Sequence, residues 1–317
     1  MNSVIVPAFN VEKTIGACLD ALLAQTAPRE AYEIIVVDDG STDATRAVAE
    51  SRGVAVLTQP NGGAAAARNL GAQHARGDLL LFIDADSTPD ARWIEAMTAP
   101  FADPSIAGVS GEKKTRQRNL WARYVQLEYD FKYDRMDARG VTDFIDSSTA
   151  AYRRDIFQSS GGFDTTLLEA EDTDLSFRLA ERGCTLVLAR DAVVYHTHPE
   201  SLAEYLRRKY RYAVWRAAVY ARHPRKAASD TRTPPSQKLQ VAIAAVLPLA
   251  LIGALVWHSL AWLVAALLVG FVVTTLPFAA RCWRASPLIG LVAPGTLWLA
   301  AYAGGAGALA GFLARRM

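Results

Sequence analysis

Leu79-Leu80-Leu81-Phe82-Ile83-Asp84-Ala85-Asp86-Ser87 is an apolar run long enough for one buried strand, ending abruptly in two carboxylates at i and i+2. Inside a strand that spacing puts both side chains on one face, whereas at a strand's end the chain turns and the two can converge. Converging carboxylates repel unless something positive lies between them, and a hard divalent cation is the usual solution. Aspartate also favours turns and helix caps, so a solvated turn leading to a helix near Pro89 accounts for the same residues. What the rest of the chain brings to this strand end divides the two readings.

Upstream, the pattern is strand then helix, repeated. Val4-Ile5-Val6-Pro7 reads as a strand before a helical pattern from Val11 to Gln25. Glu33 to Asp38 is a second strand followed by a helix over 42–50, and Val54 to Leu57 a third followed by a helix over 61–76. Apolar runs of this kind between helices predict a parallel sheet covered on both faces. Ligands of such sheets collect beyond the carboxyl ends of the strands. Pro7-Ala8-Phe9-Asn10, Asp38-Asp39-Gly40-Ser41 and Asp84-Ala85-Asp86 all fall there, so three polar clusters are expected to face one crevice. Asn61-Gly62-Gly63 opens a helix whose first N–H groups suit an anion, with Arg68 one to two turns further in. Neither a Walker lysine nor a Gly-x-Gly-x-x-Gly fingerprint is present.

The net charge of +2 over 317 residues conceals a segregation. Residues 1–201 hold 20 Lys/Arg against 30 Asp/Glu, and no acidic residue follows Asp230. An acidic portion followed by a basic and then an apolar one predicts a membrane contact and argues against nucleic acid. Cys18, Cys184 and Cys282 show no ligand-like spacing and read as reduced thiols. The opening strand is too short for the apolar region of a signal peptide.

Downstream, residues 105–160 are less regular, with a helix expected over 120–136 whose aromatics suit core packing. Glu169, Glu171, Asp172 and Asp174 then place four carboxylates within six residues at the start of an amphipathic helix. A helix dipole favours acids there, but the crowding also raises a pKa and suits a base. His196 and His198 follow a strand at the i, i+2 spacing, which admits a metal or phosphate role beside a structural one. Residues 201–222 interleave Arg207, Arg208, Lys209, Arg211 and Arg216 with tyrosines and Trp215, suiting a helix at headgroup level or a diphosphate site. Leu239–Trp257 and Leu260–Ala280 are long enough to span a bilayer. Leu288–Leu313, interrupted by Pro294-Gly295 and a glycine cluster, either spans or re-enters. Lys238, Arg281 and Arg284 put the amino-terminal domain on the cytoplasmic side, while Arg315 and Arg316 point the other way if the third segment spans.

Together, Val4-to-Asn10, Val37-Asp-Asp-Gly-Ser-Thr-Asp43, Asn61 with Ala67-Arg-Asn69, Asp84-Ala-Asp86, Gly161-Gly-Phe-Asp164 and Glu171-Asp-Thr-Asp-Leu-Ser-Phe-Arg178 resemble family 2 glycosyltransferases of GT-A fold. The likeness runs over residues 2–215. It implies an α/β, Rossmann-like nucleotide-sugar-binding domain over 1–200, a basic interfacial helix and linker over 201–237, and a membrane region over 238–317. It further implies inverting transfer from a nucleotide-sugar donor, assisted by Mg²⁺ or Mn²⁺, to a glycan or lipid-linked acceptor of the cell envelope at the plasma (inner) membrane. By position, Pro7 and Asp39 resemble nucleoside contacts, and Asn61 and Arg68 donor-site residues. Asp84 resembles a ribose or metal contact, Asp86 the main metal ligand of a DxD motif, His196 an additional metal or diphosphate contact, and Asp172 the catalytic base. Arg208 and Arg211 resemble the Gln/Arg-x-x-Arg-Trp element of processive synthases, with Tyr212 in place of Trp.

Inversion requires a hydroxyl to lose its proton and a diphosphate to leave, needs that a carboxylate base and cations answer. A glycosyltransferase acting on a polyprenyl phosphate would need no base, so the Glu171-Asp172 pair favours a hydroxyl acceptor. A nucleotidyltransferase would carry a glycine-rich loop with a basic residue near the first strand, which is missing. A non-enzymatic membrane scaffold would not need every motif carboxylate to be kept.

Overall fold

The computed structural model describes residues 1–138 and 140–314; Arg315 and Arg316 lie outside the described residues. The chain divides into two units, Met1–Arg116 with Met136–Thr197, and Gln117–Arg135 with the residues from His198 onward. Residues 117–135, which the sequence reading keeps with the first domain, therefore group with the carboxyl-terminal helices.

The first unit is built on one eight-stranded sheet. Its elements in order are β1 (Asn2–Ala8), α1 (Ile15–Leu23), β2 (Tyr32–Asp38), α2 (Thr45–Glu50), β3 (Ala55–Thr58), α3 (Ala64–His74), β4 (Leu79–Ile83), β5 (Thr88–Pro89), α4 (Trp93–Thr98) and β6 (Ile106–Lys114). After α5 (Leu120–Asp137) come β7 (Thr149–Arg153), α6 (Arg154–Ser159), α7 (Glu171–Glu181) and β8 (Thr185–Tyr195). Spatially the order is β3-β2-β1-β4-β7-β6-β8-β5. β1 to β4 are mutually parallel, as the apolar runs predict, and β7 inserts antiparallel between β4 and β6.

Strand pleating explains why these runs contain no polar residue. Val4 and Val6 of β1, with Leu81 and Ile83 of β4, face Leu19 and Leu22 of α1 and Trp93 of α4. Ile5, Leu80 and Phe82 point the opposite way, against the alanines of α3 and against Phe157, Phe163 and Leu175. With both faces covered, the middle of each strand is apolar on both sides. The chain runs from β1 outward to β2 and β3 and then returns to β4 on the other side of β1. That reversal opens a crevice at the carboxyl ends of β1 and β4, where doubly wound sheets bind ligands.

The second unit is helical. Besides residues 120–135 of α5, it comprises α8 (Leu202–Arg222), α9 (Pro224–Ala228), α10 (Pro235–Val256), α11 (Ala261–Ala285) and α12 (Pro287–Ala314). The last three are each long and apolar enough to cross a membrane. α12 runs unbroken through Pro294 and the glycine cluster. The glycines have a packing reason: a Cβ on Gly307 would stand 2.3 Å from the Tyr210 carbonyl, and one on Gly311 2.2 Å from that of Val214. This four-residue spacing of small residues lets the α8 and α12 backbones touch, as small-residue motifs do between membrane helices.

Close approach also governs α3 on the sheet. A Cβ at Gly71 would lie 2.5 Å from Ile5 Cγ2 and 3.2 Å from Val37 Cγ2. Gly71→Ala is expected to destabilise the protein by about 1–3 kcal/mol through overpacking, read as a lower thermal unfolding midpoint of the full-length protein in detergent.

Candidate active site

Each of the three polar clusters predicted at strand ends is held by its neighbours. After β1, Asn10 takes a left-handed backbone (φ 52°), and its Oδ1 accepts from the Thr42 N–H at 2.9 Å. The Asn10 N–H in turn donates to Ser41 Oγ at 3.0 Å. The loops after β1 and β2 are thus laced together, with Pro7 half-buried near the end of β1.

Asp39, just past β2, is buried, and its Oδ1 accepts from Gln59 Nε2 at 2.6 Å and from the Gly62 N–H at 2.8 Å. Its Oδ2 accepts from the Gly63 N–H, also at 2.8 Å. The anion drawn to the glycines before α3 is therefore this protein's own carboxylate. Asn61 is exposed in the same loop.

Arg68 supplies the main electrostatic link. It is buried on α3, where Nη2 donates to Asp84 Oδ1 at 2.7 Å and Nη1 to Glu171 Oε1 at 2.8 Å. Burial works against its charge, but Asp84 and Glu171 hold the guanidinium firmly protonated. The guanidinium also lies 5.7 Å above the Phe163 ring. Next to it, Asn69 clasps the Phe163 backbone, donating from Nδ2 to the carbonyl at 2.8 Å and accepting the N–H at 3.0 Å. Arg178 holds the same turn from the other side, donating to the Gly162 carbonyl at 2.6 Å while ion-paired to Asp174. Gly161-Gly162-Phe163, Ala67-Arg68-Asn69 and the acidic start of α7 thus form one fastening.

Asp84 turns to Arg68, and Asp86 turns elsewhere. Asp86 Oδ1 lies 3.3 Å from His196 Nδ1, with Ser87 Oγ 3.4 Å from the same nitrogen. Partial burial pushes the Asp86 carboxyl up, but His196, with help from Lys113, holds it below the usual carboxylate range. Among the described residues no three His, Cys, Asp or Glu side chains are gathered as a ready-made cation cage.

Asp172 stands half-buried in the first turn of α7, its Oδ1 accepting from the Thr173 N–H at 2.6 Å and Thr173 Oγ1 at 3.1 Å. The helix is entered through Ala170 in the left-handed region (φ 72°), a strained conformation for a residue with a Cβ. Beside it Glu171 is buried, and burial raises its carboxyl well above the ordinary range even though Arg68 draws it down. Arg208 and Arg211 lie on α8 in the second unit, where Arg208 Nη2 donates to Tyr129 OH at 2.9 Å and Arg211 is exposed.

Two contacts at this site lie beyond the sequence reading. Glu171 is the far anchor of Arg68, and Ser147 Oγ reaches it at 3.4 Å. Acid density marked Glu171, but nothing in its spacing ties it to an arginine 103 positions away.

Residues 3–161 match the family described as glycosyl transferase family 2. The chain belongs to that family. This family 2 chain is 33% identical over 205 residues to a pre-mycofactocin glycosyltransferase of Mycobacterium tuberculosis, covering 62% of this chain and 44% of that protein. It is 27% identical over 218 residues to the glycosyltransferase AglE of Haloferax volcanii, covering 66% and 70%. The chain thus spans less than half the length of its mycobacterial relative. Among solved structures, the mannosyltransferase PcManGT of Pyrobaculum calidifontis, in complex with GDP-Man and Mn²⁺, superposes with a TM-score of 0.67 at 23% identity, covering 99% of this chain and 87% of that one. The first unit is accordingly a Rossmann-like GT-A domain.

Removing Arg68 strands two carboxylates. Arg68→Met is expected to cost about 3–5 kcal/mol, the range for breaking a buried ion pair from one side. Arg68→Lys should rescue little, since one ammonium does not reproduce the two-armed fork. Thermal unfolding of the full-length protein measures both.

Proposed function

We propose that this chain is a membrane-bound, inverting, metal-assisted glycosyltransferase, moving a sugar from a nucleotide-sugar donor, UDP-linked by the family's lean, to a hydroxyl of a glycan or lipid-linked glycan. The observation that carries the reading is the Arg68 bridge. By tying Asp84, two residues before Asp86, to Glu171, next to Asp172, it supports a shared role for the end of β4 and the start of α7.

In this reading Asp172 takes the proton from the acceptor hydroxyl as its oxygen bonds to the anomeric carbon, while the nucleoside diphosphate departs from the opposite face. An alcohol is a weak nucleophile at neutral pH, so a positioned base supplies roughly 10²–10⁴-fold in rate. Asp86 and His196 would hold Mg²⁺ or Mn²⁺. The pair fits, because such an ion is commonly bound by one or two protein oxygens plus substrate phosphates and needs no complete protein cage. When bound, the ion neutralises charge growing on the leaving diphosphate. Pro7, Asp39 and Asn61 contact the nucleoside end of the donor, and Asp84 its ribose or the ion. Arg68, with both terminal nitrogens engaged, serves donor binding through Asp84. To Arg208 and Arg211 we assign, on the family resemblance, neutralisation of the diphosphate.

Three features support a plasma-membrane location with a cytoplasmic catalytic domain. α10 to α12 are apolar over bilayer length and leave Leu249, Leu255 and Leu291 broadly exposed. Exposed Trp257 and Trp262 flank one end of the α10–α11 hairpin and Trp283 the other, as aromatic belts do. Lys238, Arg281 and Arg284 lie at the open end of that hairpin, the end favoured for the cytoplasmic side.

A panel of nucleotide sugars with and without Mn²⁺ tests the donor class through thermal stabilisation, since a ligand selective for the folded state raises stability by mass action. EDTA and Asp86→Ala are each expected to abolish the metal-dependent stabilisation and sugar transfer. Asp172→Asn should keep the stabilisation and lose transfer by about 10²–10⁴-fold. Ordinary transfer by Asp172→Asn would remove Asp172 as the base.

A further inference from the structure

Asp39, a nucleoside contact in the proposed reading, has little of its carboxylate left to offer a ligand. The residue is 3% exposed. Of the roughly four acceptor positions on a carboxylate, three are taken by Gln59 Nε2 and by the Gly62 and Gly63 N–H groups. Gln59 is half-buried, directly after β3. Its backbone N–H extends the ladder to the Asp38 carbonyl at 3.0 Å, and its side chain is clamped to Asp39 Oδ1 at 2.6 Å. A Cβ at position 62 would crowd that amide at 3.2 Å, so glycine there keeps the clamp in place.

The clamp also settles which way the amide points. A carboxylate only accepts, so the nitrogen faces Asp39 and the carbonyl faces away. Among the described residues Gln59 Oε1 has no hydrogen-bond partner, and it is not sealed from solvent. Gln59 also lines a cavity of about 570 Å³, so a heterocycle has room beside it. The chain therefore holds a fixed, unused acceptor next to a carboxylate that is nearly filled.

We propose that Gln59 selects the donor's base, its fixed carbonyl accepting the ring N–H of uracil or guanine. The inference rests on the donor reading above and adds the residue that discriminates. Both bases carry a hydrogen on a ring nitrogen beside a carbonyl. Cytosine and adenine carry a lone pair at the corresponding nitrogen, so the same seat would set acceptor against acceptor. A free glutamine could escape by turning its amide over. Here that rotation would press Oε1 against the Asp39 carboxylate and break the 2.6 Å bond. A polar group held against the wrong partner is left unpaired, which is why hydrogen-bond readout selects more sharply than shape.

The test titrates UDP, GDP, CDP and ADP, each with Mn²⁺, against thermal unfolding of the full chain in detergent. Either UDP or GDP should reach half-maximal stabilisation at a concentration about tenfold or more below CDP and ADP, the scale of one hydrogen bond. The better of the two names the base. Methylating its ring nitrogen, as 3-methyl-UDP or 1-methyl-GDP, should raise the concentration required by a similar factor, a result that depends on no variant folding. Gln59→Lys still supplies Asp39 with a donor but offers no acceptor. Its added charge acts on all four diphosphates alike, so the ratio of UDP or GDP to CDP should fall to about one.

An unchanged ratio in Gln59→Lys would make Gln59 only a brace for Asp39 and overturn the assignment. Indifference to the ring methyl, or equal stabilisation by all four nucleotides, would overturn it too and leave the donor reading standing. Stabilisation by none of the four would overturn the donor reading, and this inference with it.

Discussion

One guanidinium between two carboxylates is the constraint on which the first unit's crevice depends. Arg68, Asp84 and Glu171 come from α3, the end of β4 and the start of α7, elements far apart in the chain. None is comfortable alone: a buried arginine without partners is costly, and so is a buried glutamate. Together they balance, and the balance has direction, because Arg68 presents its two nitrogens in a rigid fork. Through that fork the positions of β4 and α7 become interdependent. Asp86 and Asp172 each sit within two residues of an anchored carboxylate, so their placement follows from the anchors.

A second layer of fastening surrounds the first. Asn69 grips the Phe163 backbone in both directions, and Arg178 grips the turn before it while paired with Asp174. Several residues that look like chemistry in the sequence therefore work as architecture. The Gly62–Gly63 amides hold Asp39 in the same way, so the helix-start anion site is filled from within.

The parallel half of the sheet was readable because each strand there is an unbroken apolar run closed by a polar cluster, a pattern imposed by helices on both faces. The antiparallel insertion was not. β6 ends in Glu112-Lys113-Lys114, and β7 is the short run Thr149-Ala150-Ala151-Tyr152-Arg153; neither alternates cleanly or carries a continuous run. The carboxylate pair at Asp84 and Asp86 was legible as a pair, but not its parting, Asp84 to Arg68 and Asp86 to His196. That parting depends on partners brought in by long-range folding. Likewise the glycines of α12 read as an interruption, because a sequence shows the lost side chain and not the helix that needs the space.

Those glycines fix more than a contact. With the Tyr210 and Val214 carbonyls of α8 pressed against Gly307 and Gly311, sliding α12 by a single residue would drive an alanine or phenylalanine side chain into a carbonyl oxygen. The two helices are therefore keyed like a ratchet with one permitted notch. The notch fixes the register of α8 along α12. The position of the α8 side chains along α12 is thus set by the absence of two methyl groups.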